Sequence, residues 1–486
     1  MSKTTVLYRD MAVGADEDAS VSTSGAASFG EPADSPFGSL TNEPVAVLEP
    51  NSWLLNGTRV LRETQRFAFW SEDLSGADGA FEAPPTITID FDEQYSLMGI
   101  TLVFDTVTEE FCSEINVKWY QGETLKADAD FFPNATTYFC SKRVESFDRI
   151  VLALNKTALP YRRAKLSQIV FGLNRVFGMS ELRSASVVNE MDGIAETLPI
   201  STFKLTLDSK EDVDFMFQLK QPVEIRNDDK LLGVYYIDNH KRKTARIYDI
   251  ECYDAIGVLD ESTFAGGFYS NKSGKELLAE IIGSDFEIEY AEDVVDVNLS
   301  GILEKASKRS AIQQVLFAWG VCMATDGSKA VKVFNLDTSL TEIGKGQTFT
   351  GASIETSSIV TEIRVTAHSY AADNSGSIEI GGVKYSDTET VYTVSNPNVT
   401  ATDKQNVKEF HGGTLVSPAI GQSVAQRIYD WYMRRNKAKA SIVWKGEALG
   451  DYVSFPNSWD GANAGNITKM EIKLSNTVVA KCESVG

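Results

Sequence analysis

Pro222-Val223-Glu224-Ile225-Arg226, then Asn227-Asp228-Asp229, then Leu231-Leu232-Gly233-Val234-Tyr235-Tyr236-Ile237, and after a basic interval Ala245-Arg246-Ile247-Tyr248-Asp249-Ile250-Glu251-Cys252-Tyr253, is the stretch on which the fold turns. In the first and last of these runs large apolar residues alternate with polar ones, the period of a half-buried strand, and Leu231 to Ile237 is a short continuous apolar run rich in strand-forming residues. Asn227-Asp228-Asp229 supplies side chains that hydrogen-bond back onto their own backbone and so favour a turn. The stretch reads as three strands with a turn between the first two, and Ser201 to Leu207 is a further strand.

Downstream the period lengthens to that of a helix. Ser273 is a candidate N-cap with Glu276 three residues on, Leu277, Leu278, Ile281 and Ile282 form one apolar face, and Gly283 closes the helix. A second helix is expected from Lys308 to Trp319, stopped by Gly320, followed by a hairpin from Val321 to Phe334 that turns at Asp326-Gly327. Beyond residue 346 the pattern returns to short strands, among them Ile359 to Ala367, Thr390 to Val394, Ala440 to Trp444, Asp451 to Phe455, Ile467 to Leu474 and Val478 to Glu483. One helix interrupts them near Ala419 to Arg435, with Ile420, Val424, Ile428 and Trp431 on a single stripe.

Upstream, Ile87 to Phe91, Ile100 to Phe104, Ile115 to Trp119, Ile150 to Leu154 and Ile169 to Phe171 alternate with period two between Gly, Asn, Asp and Pro clusters. That is the signature of an all-β sandwich. Residues 1–45 are expected to form an arm, because the segment from Ala12 to Asn42 is rich in Ala, Ser, Gly and acidic side chains and cannot bury enough surface to order itself alone. The expected organisation is therefore an arm over 1–45, a β-sandwich over 46–174, a barrel with a helical subdomain over 175–345 and a second barrel over 346–486.

Composition fits several ordinary cores: 486 residues at about 150 per domain suggest roughly three, and 43% hydrophobic side chains can fill them. No apolar run reaches the ~20 residues of a membrane-spanning helix, and the N-terminus lacks the basic start and apolar middle of an export signal. A net charge of −22 argues against specific binding of nucleic-acid phosphates. It is compatible with an acidic surface past which DNA slides without sticking. The five cysteines have no metal spacing and read as free thiols in a reducing cytoplasm.

Motifs of catalysis are not found. His240, His368 and His411 stand apart, with no HxxxH spacing for zinc. No GxSxG elbow occurs, and Ser201-Thr202-Phe203-Lys204, which fits SxxK, lies in an alternating strand where the enzymatic motif would open a helix. The expectation is no catalytic residue, no cofactor and no metal. Aromatic and basic residues supply weak ligand or interface candidates: Trp53, Tyr161, Arg162 and Arg163 in the sandwich, and His240, Lys241 and Arg242 at a basic hairpin tip. For the sandwich aromatics, packing outweighs stacking on a sugar ring. The basic tip either touches an acidic neighbouring subunit or is a solvated turn.

Gly233 to Ile237 with Arg246 to Asp254, the helix starts at Ser273 and Ser310, and the closing sequence from Val424 through Leu449-Gly450-Asp451-Tyr452-Val453 to Gly465-Asn466-Ile467-Thr468 resemble, in their order, the hub proteins of contractile-tailed phages, tailocins and related injection systems. The sandwich, through Phe69-Trp70-Ser71, Pro84-Pro85 and Leu159 to Ala164, resembles galactose-binding-like jelly-roll domains. The resemblance implies a mainly β, multi-domain β chain with minor α: a jelly-roll β-sandwich, two hub-type β-barrels and a small helical subdomain. It further implies a ring-forming homotrimer that links tail tube to spike and baseplate proteins. Such a protein would be assembled in the host bacterial cytoplasm into a virion tail or phage-tail-like particle, with DNA able to pass through the ring. Two alternatives stay open, a tail-associated cell-wall hydrolase and an adhesin that contacts glycans through the sandwich.

Overall fold

A computed structural model describes residues 4–12, 14–27, 69–105, 109–209, 217–228, 230–400, 404–474 and 477–486. The chain is mostly β with minor α and divides into two compact units, one of residues 8–175 with 214–217, the other of 1–7, 176–213 and 218–486.

In the first unit the alternation of Ile87, Ile89 and Phe91 aims every second side chain inward. Two strands are longer than the sequence suggests: Thr86–Val103 joins two runs read separately, Thr137–Thr157 extends the run Ile150 to Leu154 toward the N-terminus, and the two pair along both of their ends, with register irregularities between Asp90 and Gly99. Bulges of this kind bend a strand and raise its twist. The bend passes through Gly99, whose φ is 151° and whose missing Cβ would stand 2.2 Å from the Cys140 carbonyl oxygen. Cys112–Gln121 and Thr124–Phe131 extend the sheet on one side and Ser20–Ser24 on the other. Ile100, Leu102, Ile115, Val117, Trp119, Ile150 and Leu152 fill the core, with Phe91 edge-on to Phe147 and Phe171.

Much of the described part of the expected arm is built into sheets, with a short helix, Ala15–Asp18, between its two strands. Ser20–Ser24 pairs in register with Thr86 to Asp90. In the second unit the Thr4 hydroxyl, fully buried, donates to Asn227 Oδ1 at 3.3 Å. The physical reason is a short alternation, Thr4 and Val6 in with Thr5 and Leu7 half-exposed, that an average over the acidic arm hides.

The second unit is organised by one long sheet. From Pro222–Asn227 its order runs Lys230–Arg242, Ile247–Tyr253, Thr202–Asp208, Leu182–Glu190, Ala462–Lys473, Val479–Val485, Asn436–Val443 and Ser353–Thr356. Strands of both expected barrels therefore share a sheet, and the seam is the antiparallel pair Leu182–Glu190 with Ala462–Lys473, where Val187 faces Ile472. Ser353–Thr356 ends the order and pairs only with Asn436–Val443 among the described residues.

Beside the sheet lies a helical layer. Ser273 caps Gly274–Ile282 by accepting from the Glu276 N–H at 3.2 Å, and Gly283 ends it at φ 66°. The Ser273 hydroxyl donates to Asp296 at 2.5 Å, so a carboxylate from across the layer holds the cap in place. Lys308–Trp319 ends at Gly320 with φ 94°. A helix absent from the sequence reading, Ala255–Glu261, is capped by Asp254. Leu277, Ile281, Ile312, Val315 and Leu316 pack with Val424 and Ile428 of the Gly421–Tyr432 helix and with Ile363 and Val365 of Glu362–Ala372. That last strand pairs with Val383–Ser395 and Val407–Phe410 in a smaller sheet. Arg434 and Arg435, expected in the last helical turn, lie beyond it and bond to Asn466 and to the Ser357 carbonyl. All five cysteines are buried free thiols, and burial pushes the Cys112 thiol up to about 12.

Candidate functional site

The basic residues singled out in the sandwich are drawn into its structure. Ser71 ties two segments together by accepting from the Ala164 N–H at 2.9 Å and donating to the Asp73 carbonyl at 2.7 Å. That places Arg163 to donate to the carbonyls of Ser71 and Glu72. Arg162 Nε and Lys165 Nζ each donate to one oxygen of Glu110 at 2.8 Å. Lys165 Nζ also stands 3.9 Å from Asp105 and 5.4 Å from the Trp70 ring centroid. Lys165 and Asp105 have side chains 1% and 0% exposed, so this is an ion cluster held inside the unit. The cavity beside it measures about 20 Å³, water-sized and far below a sugar ring. Tyr161 is half exposed at φ 54°, and Trp53 lies outside the described residues.

His240, Lys241 and Arg242 end the strand Lys230–Arg242, opposite Ile250, Asp249 and Tyr248. Arg242 stacks its guanidinium 5.3 Å from the Tyr248 ring centroid and donates to the Ala245 carbonyl at 2.8 Å. Lys243 meets Asp249 at 2.5 Å and, with the Thr206 hydroxyl, holds that carboxyl below its usual range. The basic tip is thus partly neutralised across its own hairpin.

Two groups of ionisable residues were missed in the sequence. The first centres on Asp254, fully buried, whose oxygens accept from Gly257 N–H at 3.1 Å and from the Thr325 hydroxyl at 2.9 Å. Burial pushes its carboxyl up to about 6, against the lowering effect of those hydrogen bonds. The unfolded carboxyl titrates near 3.9, so the contribution to stability is complete below that pH and is lost as pH rises through about 6. Asp254→Asn keeps an acceptor for the cap and removes the charge. It should stabilise the protein relative to the parent by up to about 3 kcal/mol above pH 7, and by little at pH 4. Urea unfolding at both pH values checks this, and a parent-to-variant difference independent of pH would contradict it.

The second group could hold a cation. His368 is buried on Glu362–Ala372, opposite Glu389 in register, with Asp387 two residues away on the same partner strand. His368 Nδ1 is 2.7 Å from Asp387 Oδ2, and Nε2 is 3.1 Å from the His411 carbonyl oxygen. One ligand-capable atom each from His368, Asp387 and Glu389 fall within 4.8 Å of one another. No spacing in the sequence signals this, because the groups come from different strands.

No family model matches the sequence, and no curated protein matches it. Solved structures do. The chain is similar in structure to phage tail proteins. A tail protein from Neisseria meningitidis MC58 aligns at 10% identity over 64% of this chain and 94% of its own, with a TM-score of 0.46. The 43 kDa tail protein of prophage MuSo2 from Shewanella oneidensis aligns at 10% identity over 64% and 95%, with a TM-score of 0.43. A prophage tail protein from Listeria monocytogenes EGD-e aligns at 12% identity over 63% and 91%, with a TM-score of 0.42.

Proposed function

We propose that this chain is a non-enzymatic structural component of a phage tail or phage-like injection particle, a hub that joins tail tube to spike and baseplate. The observation that carries the reading is the seam of Leu182–Glu190 with Ala462–Lys473. It makes the strands of two successive sequence regions into one continuous sheet, the arrangement a part needs when it transmits geometry and breaks no bond. Three copies, each presenting two tube-like units, would let a threefold spike meet a sixfold tube. Ring closure would use the open edge of Ser353–Thr356, since an unpaired edge seeks a partner strand. The net charge of −22 suits a lumen that lets DNA pass. Assembly would take place in the host bacterial cytoplasm.

Multi-angle light scattering of the full chain over a range of salt tests the ring. A trimer that persists on dilution is the expected result. A strict monomer at every concentration, with or without purified tube protein added, would overturn it.

A further inference from the structure

We propose that His368, Asp387 and Glu389 form a site for a divalent transition metal, with zinc as the probe. The argument begins with the imidazole. His368 Nε2 faces a carbonyl, that of His411, at 3.1 Å, and a carbonyl can only accept. The proton therefore sits on Nε2. In a neutral ring this leaves Nδ1 as a lone pair, directed at Asp387 Oδ2 2.7 Å away. A contact this short is held either by a second proton on the ring, as an imidazolium–carboxylate pair, or by a cation that both atoms bind. A backbone carbonyl that fixes the far nitrogen is also the usual second partner of a metal-bound histidine.

The carboxylates point the same way. Asp387 Oδ1 is buried and accepts no hydrogen bond among the described residues, which leaves a desolvated acceptor in need of a positive partner. Glu389 lies directly across the strand pair from His368 and adds a third ligand. Tetrahedral zinc with bonds of about 2.0–2.1 Å spaces its ligands by roughly 3.3 Å. The present spacings, from 2.7 Å to at most 4.8 Å, bracket that value, so small side-chain rotations complete the site. One imidazole with two carboxylates suits zinc or a neighbouring first-row ion, with water as the fourth ligand. Such an ion would clip Glu362–Ala372 to Val383–Ser395.

The test is calorimetric titration of the full-length, EDTA-treated protein with zinc chloride, paired with the visible absorption of the cobalt(II) form. The expected result is one site per chain, lost in Asp387→Asn and weakened at least about tenfold in Glu389→Gln. His411→Ala retains the carbonyl and should bind as the parent does. Glu389 is exposed, so its variant keeps the fold and carries the test if His368→Ala fails to fold. Absence of binding in the parent, or binding unchanged by Glu389→Gln and Asp387→Asn, would overturn the proposal and leave an imidazolium–carboxylate pair only. Binding lost in His411→Ala but kept in Glu389→Gln would place any zinc at His411 and Glu409, whose side chains approach to 3.4 Å, and would overturn it equally.

Discussion

Lys165→Met is expected to destabilise the sandwich by about 3–5 kcal/mol, because it removes the cation from a buried cluster and leaves carboxylates behind. Glu110 would keep Arg162 at 2.8 Å, but its second oxygen and Asp105 would lose the ammonium that both face. The double variant Lys165→Met/Glu110→Gln should recover at least about 1 kcal/mol, since a neutral amide there costs less to bury than a carboxylate that has lost one of its two cations. Amide exchange of Ile150 to Leu154, deep in that unit's core, reads the effect without interference from the rest of the chain. If Lys165→Met left protection there unchanged, the cluster would be ornamental to stability.

Gly301→Ala should be at least as damaging to the second unit. Gly301 sits at φ 155° in Asn298–Leu303, and a Cβ there would stand 2.2 Å from the Thr414 carbonyl oxygen and 2.9 Å from Leu415 Cα. Both are backbone atoms, so no rotamer change relieves the overlap. The expected cost is about 3 kcal/mol or more, from overpacking together with backbone strain. Gly412→Ala is the matched control, with nothing within 4 Å of its added Cβ, and should change stability by less than about 1 kcal/mol. Urea midpoints followed by circular dichroism compare the two, and equal midpoints would refute the argument.

Local signals carried well from sequence to structure. The helix at Gly274–Ile282 was legible because its cap, apolar face and terminal glycine lie within eleven residues of one another. The strands from Pro222 were legible because their runs are dense in large apolar residues and the turn has its own chemistry, and the structure pairs them as an antiparallel meander. Ala255–Glu261 was not, because Gly257 lowers helix propensity. That glycine is present for packing, since a Cβ would come within 2.6 Å of the Tyr253 ring. Thr124–Phe131 was missed because it is an outer strand whose only buried residue is Phe131, so no apolar alternation marks it.

The surroundings of the site residues were not legible, for a common reason. Arg162 and Arg163 were noticed as possible ligand contacts, yet their partners Glu110, Ser71 and Glu72 lie 52, 92 and 91 residues away, and pairing turns an apparent binding group into an internal strut. The Asp254–Thr325 bond and the His368–Asp387 contact are equally invisible in one dimension. Burial decides what a charged residue does, and burial is settled by strands from elsewhere in the chain.

The seam has a consequence in time. On the ribosome, Leu182–Glu190 emerges roughly 280 residues before the strand that will cover its edge, an interval of about 15–60 s at ordinary rates of synthesis. During that interval a nascent chain carries an uncovered strand able to recruit a sister chain on the same message. Completion of the C-terminal strands withdraws that edge, leaving Ser353–Thr356 as a different open edge. Translation itself would thus act as a clock that separates the unfinished copy from the one fit to assemble.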